Sequence, residues 1–471
     1  MCKNAAAFAT DIFFEVAKAA LGIISILFNS KEVHMKPKKV KELLFSQIKR
    51  VASNARYFCN NAEKDFTRKR KLTMEKLLTG IIGMGSGNLT NEITDMFNGS
   101  KEAPSASAFC QQRCKISSEA FDFLFRIFSM RLSESLDDEM HILAIDGSKI
   151  QIPTNPEDPD SFFHGKEGQK PYNLLHLNAL YDLNHSIYHD ALIQKSRFSN
   201  EHRALVEMVD RSTLRKALVI ADRGYESYNN LAHIQEKGWN FLFRIKDGKN
   251  GIKQGLFLPD KDSYDIHIEL NLTRKQTNEV KELLKDKNKY KCISDVPFDY
   301  LPDKSRKSDP TRFYTLSFRI VRFRITDDSY ETIITNLPEE KYTPDKIKKL
   351  YAARWGVETS FRDLKHTMGM LNFHSKKVAC ILQEIYAHLI MYNFSEMITS
   401  HVVIKKKQRK YTYRANFSVA AHMCRKFYHG ITAPPDLETI ISKNLVPIRT
   451  DRHRERYTSA RIFRGFLYRI A

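Results

Sequence analysis

Cysteine is scarce in this chain of 471 residues: seven are scattered at 2, 59, 110, 114, 292, 380 and 424, with no Cys-x-x-Cys pair. That excludes a disulfide framework and a zinc finger and suits a reducing compartment. Cys110 and Cys114 could form half a metal site, but no second Cys or His pair sits near them in the sequence, so ordinary free thiols are expected. Glycine (18) and proline (15) are few beside 42% hydrophobic and 11% aromatic residues, which excludes collagen-like, low-complexity and disordered readings of the whole. Long apolar runs are missing too. The longest, Ala19 to Phe28, falls far short of the roughly 20 residues that cross a bilayer, so no membrane span is expected. Ahead of it Asp11, Glu15 and Lys18 share one helical side. They do not suit a secretory signal, and 5–29 reads as an amphipathic helix, with Met35 as an alternative start.

What is abundant is positive charge, and its placement matters more than its total of +21. Residues 31–76 hold 14 Lys/Arg against 5 Asp/Glu, and residues 401–471 hold 16 against 4, while 77–400 holds 44 of each sign. A neutral body with two basic ends suits a polyanion, because Lys and Arg at phosphates release condensed counterions. Nucleic acid is the first candidate partner. The aromatic residues interleaved in the C-terminal segment, such as Tyr411, Tyr413, Phe427 and Tyr428, argue that this end folds and packs.

The hydrophobic pattern predicts a basic amphipathic helix over 38–51 and short helices over 73–84, 90–97 and 105–116. Three short helices with tight turns fit a helix-turn-helix-like module whose last helix offers Gln111, Gln112, Arg113 and Lys115 to DNA. From 141 the period changes to that of an α/β layer. His141 to Ile145 and Ala217 to Ala221 are continuous apolar runs, each a strand buried on both faces, and they deliver Asp146 and Asp222. Residues 247–337 alternate and predict a β-rich insertion. After Pro344 one long helix is expected through about Met370, then another over 378–397. The segmentation is a helical, basic, DNA-binding region at 1–135; a catalytic α/β domain at 136–246 and 338–400; the insertion at 247–337; and a basic region at 401–471 for DNA contact or dimerisation.

An acid at the C-terminal end of a buried strand is costly unless it binds something, and in open α/β sheets that edge is where ligands bind. A third acid, Glu358, lies on the expected long helix. At 100° per residue Tyr351, Arg354, Glu358 and Lys365 fall within a sector of about 60°, bordering the apolar stripe of Val357, Phe361, Leu364 and Met368. Three carboxylates without Cys or His make an oxygen site for hard cations, Mg²⁺ with Mn²⁺ as a substitute. Such a site suits phosphoryl transfer on nucleic acid. Tyr351, Arg354 and Lys365 are then expected at DNA phosphates, with Arg223, Trp355 and Arg113 as further DNA contacts.

The spacing Tyr-x2-Arg-x3-Glu-x6-Lys at 351, 354, 358 and 365, with Asp-Gly-Ser at 146 and Asp-Arg-Gly-Tyr at 222, resembles the DDE transposases of the insertion sequence 4 family. Asn336-Leu337-Pro338 and the β-rich insertion add to the likeness, which covers roughly residues 70–400. The resemblance implies a ribonuclease-H-like catalytic domain with an inserted β-rich subdomain, flanked by helical N- and C-terminal regions. It implies Mg²⁺, a catalytic triad of Asp146, Asp222 and Glu358, and double-stranded DNA at transposon ends and target. It also implies a homodimeric synaptic complex and a bacterial, cytoplasmic, nucleoid-associated protein. Members of the family commonly flip a base onto a Trp, and only Trp239 and Trp355 are present here. The alternatives are a nuclease or repair enzyme of the same fold, and a transposase-derived DNA-binding protein that no longer cuts.

Overall fold

The structure is a computed structural model that describes residues 35–448, apart from 69, 137, 166–167, 248–250, 294–295, 303–311, 327–328 and 403–411. The helix expected over 5–29 and the basic end beyond 448 lie outside the described residues. Five helices come first: α1 (Pro37–Ser53), α2 (Met74–Gly83), α3 (Leu89–Met96), α4 (Ala106–Arg113) and α5 (Ser118–Glu134). Their starts are written locally. Thr73, Asn88 and Ser105 each accept a backbone N–H from three residues on, at 3.3, 2.8 and 3.3 Å, satisfying donors that a helix start leaves unpaired.

Next come β1 (His141–Ile152), β2 (Phe162–Phe163), β3 (Tyr172–Asp182), β4 (Ile187–Lys195), α6 (Glu201–Arg211), β5 (Ala217–Ala221), α7 (Tyr228–Glu236), β6 (Asn240–Arg244), β7 (Tyr264–Thr273), α8 (Asn278–Leu283), β8 (Tyr290–Cys292), β9 (Tyr314–Thr326) and β10 (Ser329–Thr335). The last elements are α9 (Pro344–Ala353), α10 (Trp355–Arg362), α11 (Val378–His401), β11 (Thr412–Ala415), α12 (Phe417–Tyr428), α13 (Pro434–Lys443) and β12 (Leu445–Ile448). Among the described residues no helix is long and apolar enough to cross a membrane.

By their contacts the described residues form two compact units, one of 138–146 and 200–357, the other of 35–137, 147–199 and 358–448. In the first unit the strand order is β1-β5-β6-β10-β9-β7-β8. β1 pairs parallel to β5 and β5 parallel to β6, whereas β6, β10, β9 and β7 pair antiparallel. The parallel strands are buried on both faces, as their unbroken apolar runs require. In β7, Ile268, Leu270 and Leu272 are buried and Glu269 is exposed, the alternation of a strand with one wet face.

The second unit is built on α11. Seventeen of its 24 residues are buried, polar Gln383, Glu384, His388, Asn393 and Ser395 among them, as befits a central helix packed on several sides. Asn393 fastens it to β4: its amide accepts the Tyr188 N–H at 2.7 Å and donates to the Tyr188 carbonyl at 2.8 Å. The N-terminal helices meet α12 here. Lys41 Nζ donates to the Phe427 carbonyl at 2.7 Å, Tyr428 Oη to the Thr79 carbonyl at 2.9 Å, and the Phe45 and Tyr428 rings lie 5.1 Å apart.

Two expectations about single elements change. β1 does not stop at Ile145 but runs on through Asp146 to Ile152, because Ile150 and Ile152 are buried while Lys149 next to Ile150 is exposed, the period of a strand. The single helix expected from Pro344 to Met370 is three pieces. α9 ends at Ala353, α10 begins after Arg354, and Asp363–Thr367 forms a π-helical turn closed by the Met368 N–H on the Asp363 carbonyl at 3.0 Å. A π turn widens the helix and rotates the residues after it, so a constant 100° step fails beyond Arg362.

Candidate active site

The parallel register of β1 and β5 pairs Ala144 with Ile220. Asp146 and Asp222 each stand two residues beyond that pair, so the two acids follow neighbouring parallel strands at one level. Asp222 begins the short turn Arg223–Tyr225, and its Oδ1 accepts the Gly224 N–H at 2.7 Å. A Cβ at Gly224 would lie 2.9 Å from that same oxygen, which explains why the turn holds glycine. Arg354, 6% exposed, brings Nη1 to 3.9 Å from Asp146 Oδ2 and lies 5.1 Å from the Trp355 ring centroid. Behind it, Glu331 of β10 meets Arg244 of β6 at 3.3 Å. Burial raises the Glu331 carboxyl above its ordinary value, against the pull of Arg244 and Arg354.

Tyr225 is 1% exposed, and its hydroxyl has no hydrogen-bond partner among the described residues. Burial first, then the carboxylates of Glu201, Asp146 and Asp222, push it well above the ordinary tyrosine value, with Arg354 opposing. These donors are all oxygens. An orphaned hydroxyl among carboxylates therefore suits a hard divalent cation, and Asp146 and Asp222 are the residues that would hold it.

Glu358 lies in the first turn of α10, half-buried, where the helix N-terminus favours an acid. It belongs to the second unit. There Lys365, in the π turn, donates from Nζ to Ser148 Oγ at 2.7 Å and to the Lys149 carbonyl at 2.9 Å. Burial lowers its ammonium from the usual value. Lys365 thus ties the π turn to β1 two residues beyond Asp146.

Of the expected DNA contacts, Arg223 is exposed and Trp355 half-buried. Two need correction. Arg113 is 1% exposed, donates to Gln383 Oε1 at 2.8 Å and pairs with Glu384 at 2.8 Å, inside the helical core. Its guanidinium is consumed by that network and cannot reach a phosphate. Tyr351 is 3% exposed, so its ring supports Arg354, 5.9 Å away, and is not a surface phosphate donor. Trp239, 1% exposed with its indole N–H on the Leu214 carbonyl at 3.2 Å, is a core residue and leaves Trp355 as the tryptophan near the carboxylates.

Sequence reasoning passed over Glu201 and left Tyr225, the last residue of the Asp-Arg-Gly-Tyr motif, without a role, because an acid at a helix start and an aromatic after a turn carry ordinary structural explanations. It also missed a cleft of about 980 Å³ in the second unit whose lining includes Lys49, Arg50, Lys64, Arg68, Arg70 and Lys115. The Lys49-Arg50 pair and the run from Arg68 were visible as charge, but their convergence was not.

Comparison with known proteins completes the picture. The transposase InsG of insertion sequence element IS4 from Escherichia coli strain K12 is 22% identical over 343 residues, which cover 69% of this chain and 70% of that protein. A cryo-EM structure of a piggyBac transposase synaptic complex with hairpin DNA is similar at a TM-score of 0.40 and 11% identity, over 86% of this chain and 84% of that one. The transposase DDE domain family matches residues 137–394, a span that contains Asp146, Asp222 and Glu358. The chain belongs to the DDE transposases, of the insertion sequence 4 type.

Proposed function

We propose that this protein binds the ends of an insertion sequence and catalyses Mg²⁺-dependent cleavage and transfer of their DNA strands. The observation that carries the reading is the pair Asp146 and Asp222, level on adjacent parallel strands inside the matched domain. The family motif supplies Glu358 as the third acid of a ribonuclease-H-like domain, and Mn²⁺ substitutes for Mg²⁺. When bound, the cations supply Lewis-acid stabilisation of the phosphodiester and a deprotonated water or 3′-hydroxyl as nucleophile. Asp146 and Asp222 contribute negative charge at a fixed spacing. Arg354 offsets part of it beside Asp146, and the Glu331 carboxylate, itself paired with Arg244, interacts electrostatically with that guanidinium. Lys365 anchors the strand that carries Asp146, and exposed Arg223 and the Trp355 ring are the proposed direct DNA contacts.

The DNA itself is held elsewhere on the chain. The basic cleft of the second unit is the proposed duplex surface, replacing the donor expected from Arg113, and the Arg-rich segment beyond 448 adds phosphate contacts. The proposed organisation keeps a basic N-terminal region to residue 135, a catalytic domain of 136–246 and 338–400 interrupted by a β-rich insertion at 247–337, and a basic region from 401. Two copies would assemble on paired ends, in a bacterial cytoplasm close to the nucleoid.

Incubating the purified full chain with its flanking DNA and Mg²⁺ tests the reading. Cuts are expected at the terminal repeats, lost in D146N, D222N and E358Q while end binding persists. Cutting without regard to the repeats would favour a nuclease of the same fold, and end binding with no cutting by the unaltered chain would favour a protein that only binds.

A further inference from the structure

Glu201 is the first residue of α6 and half-buried. Its ordinary explanation is electrostatic: Asn200 caps the helix by accepting the Arg203 N–H at 3.0 Å, and an acid in the first turn suits the positive end of the helix dipole. That accounts for Glu201 but not for its surroundings. From the Cβ position at Gly224, Asp222 Oδ1 is 2.9 Å away and Glu201 Oε2 4.0 Å, so both carboxylates border the same small space over the Arg223–Tyr225 turn.

The side chains around that space are held in place. Asn230 of α7, 1% exposed, donates to the Tyr225 carbonyl at 2.8 Å and meets His202 Nδ1 at 2.8 Å. One buried amide therefore links the turn that carries Tyr225 to the helix residue next to Glu201. The Tyr225 hydroxyl, buried and without a protein partner among the described residues, lies in the field of Glu201, Asp146 and Asp222. A buried hydroxyl left unbonded is unfavourable, and acid groups crowded together repel unless a cation joins them.

We propose that Glu201 is a fourth carboxylate of the divalent-cation site, and that the Tyr225 hydroxyl is the fixed donor that positions an oxygen in that cation's shell. The proposal rests on the reading of Asp146 and Asp222 as cation ligands. Tyr225 acts here as a positioning residue, because it would touch the shell and not the reacting phosphate.

Mn²⁺ titrated into the full chain without DNA, with free Mn²⁺ read by electron paramagnetic resonance, tests this apart from catalysis. D222N is expected to abolish tight Mn²⁺ binding, E201Q to weaken it about 10–100-fold and Y225F about tenfold, the range seen when groups around a metal are lost. E201D keeps the charge at the helix start and so keeps the fold, and it is expected to weaken Mn²⁺ binding as well, because the shortened carboxylate no longer reaches. Without Mn²⁺ the variants should melt close to the unaltered chain, and the rise in melting temperature on adding Mn²⁺ should shrink in each. If D222N loses Mn²⁺ while E201Q, E201D and Y225F bind it normally, the proposal is overturned and the reading of the two Asp stands. If the unaltered chain binds no Mn²⁺, or D146N and D222N bind it normally, that reading fails and the proposal falls with it.

Discussion

At the scale of single residues, burial separates side chains that look alike in the sequence. Arg113 and Arg223 both sit in polar neighbourhoods of the chain, yet one is enclosed and the other exposed. Arg113 and Glu384 form a buried pair, and the Arg113 charge together with His374 holds the Glu384 carboxyl at about 2 against the opposing effect of burial. Without Arg113 the buried Glu384 charge loses its strongest partner, so Arg113→Ala should lose about 3–5 kcal/mol in chemical denaturation. Its salt-dependent DNA affinity should be intact in whatever fraction stays folded. Acid acts on the same pair. A carboxyl depressed in the folded chain contributes stability above its unfolded value near 4.5 and loses it as pH falls toward 2. The midpoint of urea unfolding should therefore drop between pH 4.5 and 2, and a flat profile would show that the pair contributes nothing.

At the scale of elements, the broken helix after Pro344 changes what Lys365 is expected to do. On one straight helix it would point at DNA beside Glu358, and Lys365→Ala would leave stability untouched. In the structure the π turn delivers it to Ser148 and the Lys149 carbonyl, so Lys365→Ala should cost about 1–3 kcal/mol as well as cleavage. Unchanged stability in that variant would return Lys365 to the role of a pure phosphate contact. The same turn carries Asp363. Burial, then the Asp363 charge, push the Glu396 carboxyl of α11 up to about 8, with Arg414 opposing. Here the sign is reversed: the folded chain holds a proton that the unfolded chain releases near 4.5, so stability falls as pH rises from about 4.5 to 8. Glu396→Gln should flatten that fall in thermal melts, and the variant should melt above the unaltered chain at pH 8. Equal pH slopes in both proteins would remove Glu396 from the account.

At the scale of the whole molecule, the two basic stretches that stand at opposite ends of the sequence share one compact unit wherever they are described. α12 packs on α1 and α2, so deleting 401–471 would strip a core face along with the charges. A cleaner test neutralises Arg452, Arg454 and Arg456 to Gln, beyond the last described strand. Each lost phosphate contact lowers the slope of log K against log salt by about 0.9. A slope less steep by up to about 2.7 is expected from the three changes, together with a second loss when Arg68 and Arg70 of the cleft are changed. An unaltered slope in both variants would place DNA on another surface.

Periodicity, capping residues and charge counts are local properties, and from them the sequence by itself determined most element positions, the α/β character of the middle and the three acids of the family motif. The capped starts of α2, α3 and α4 and the bounds of β5 and α7 depend on neighbours within a few residues. What only the tertiary structure decided are relations between distant residues. Register between β1 and β5 brought Asp146 level with Asp222. A Glu 271 positions away claimed Arg113. A turn and two helix faces set Glu201 and Tyr225 beside the same carboxylates. Burial and pairing depend on which surfaces meet, and no window of the chain contains both partners.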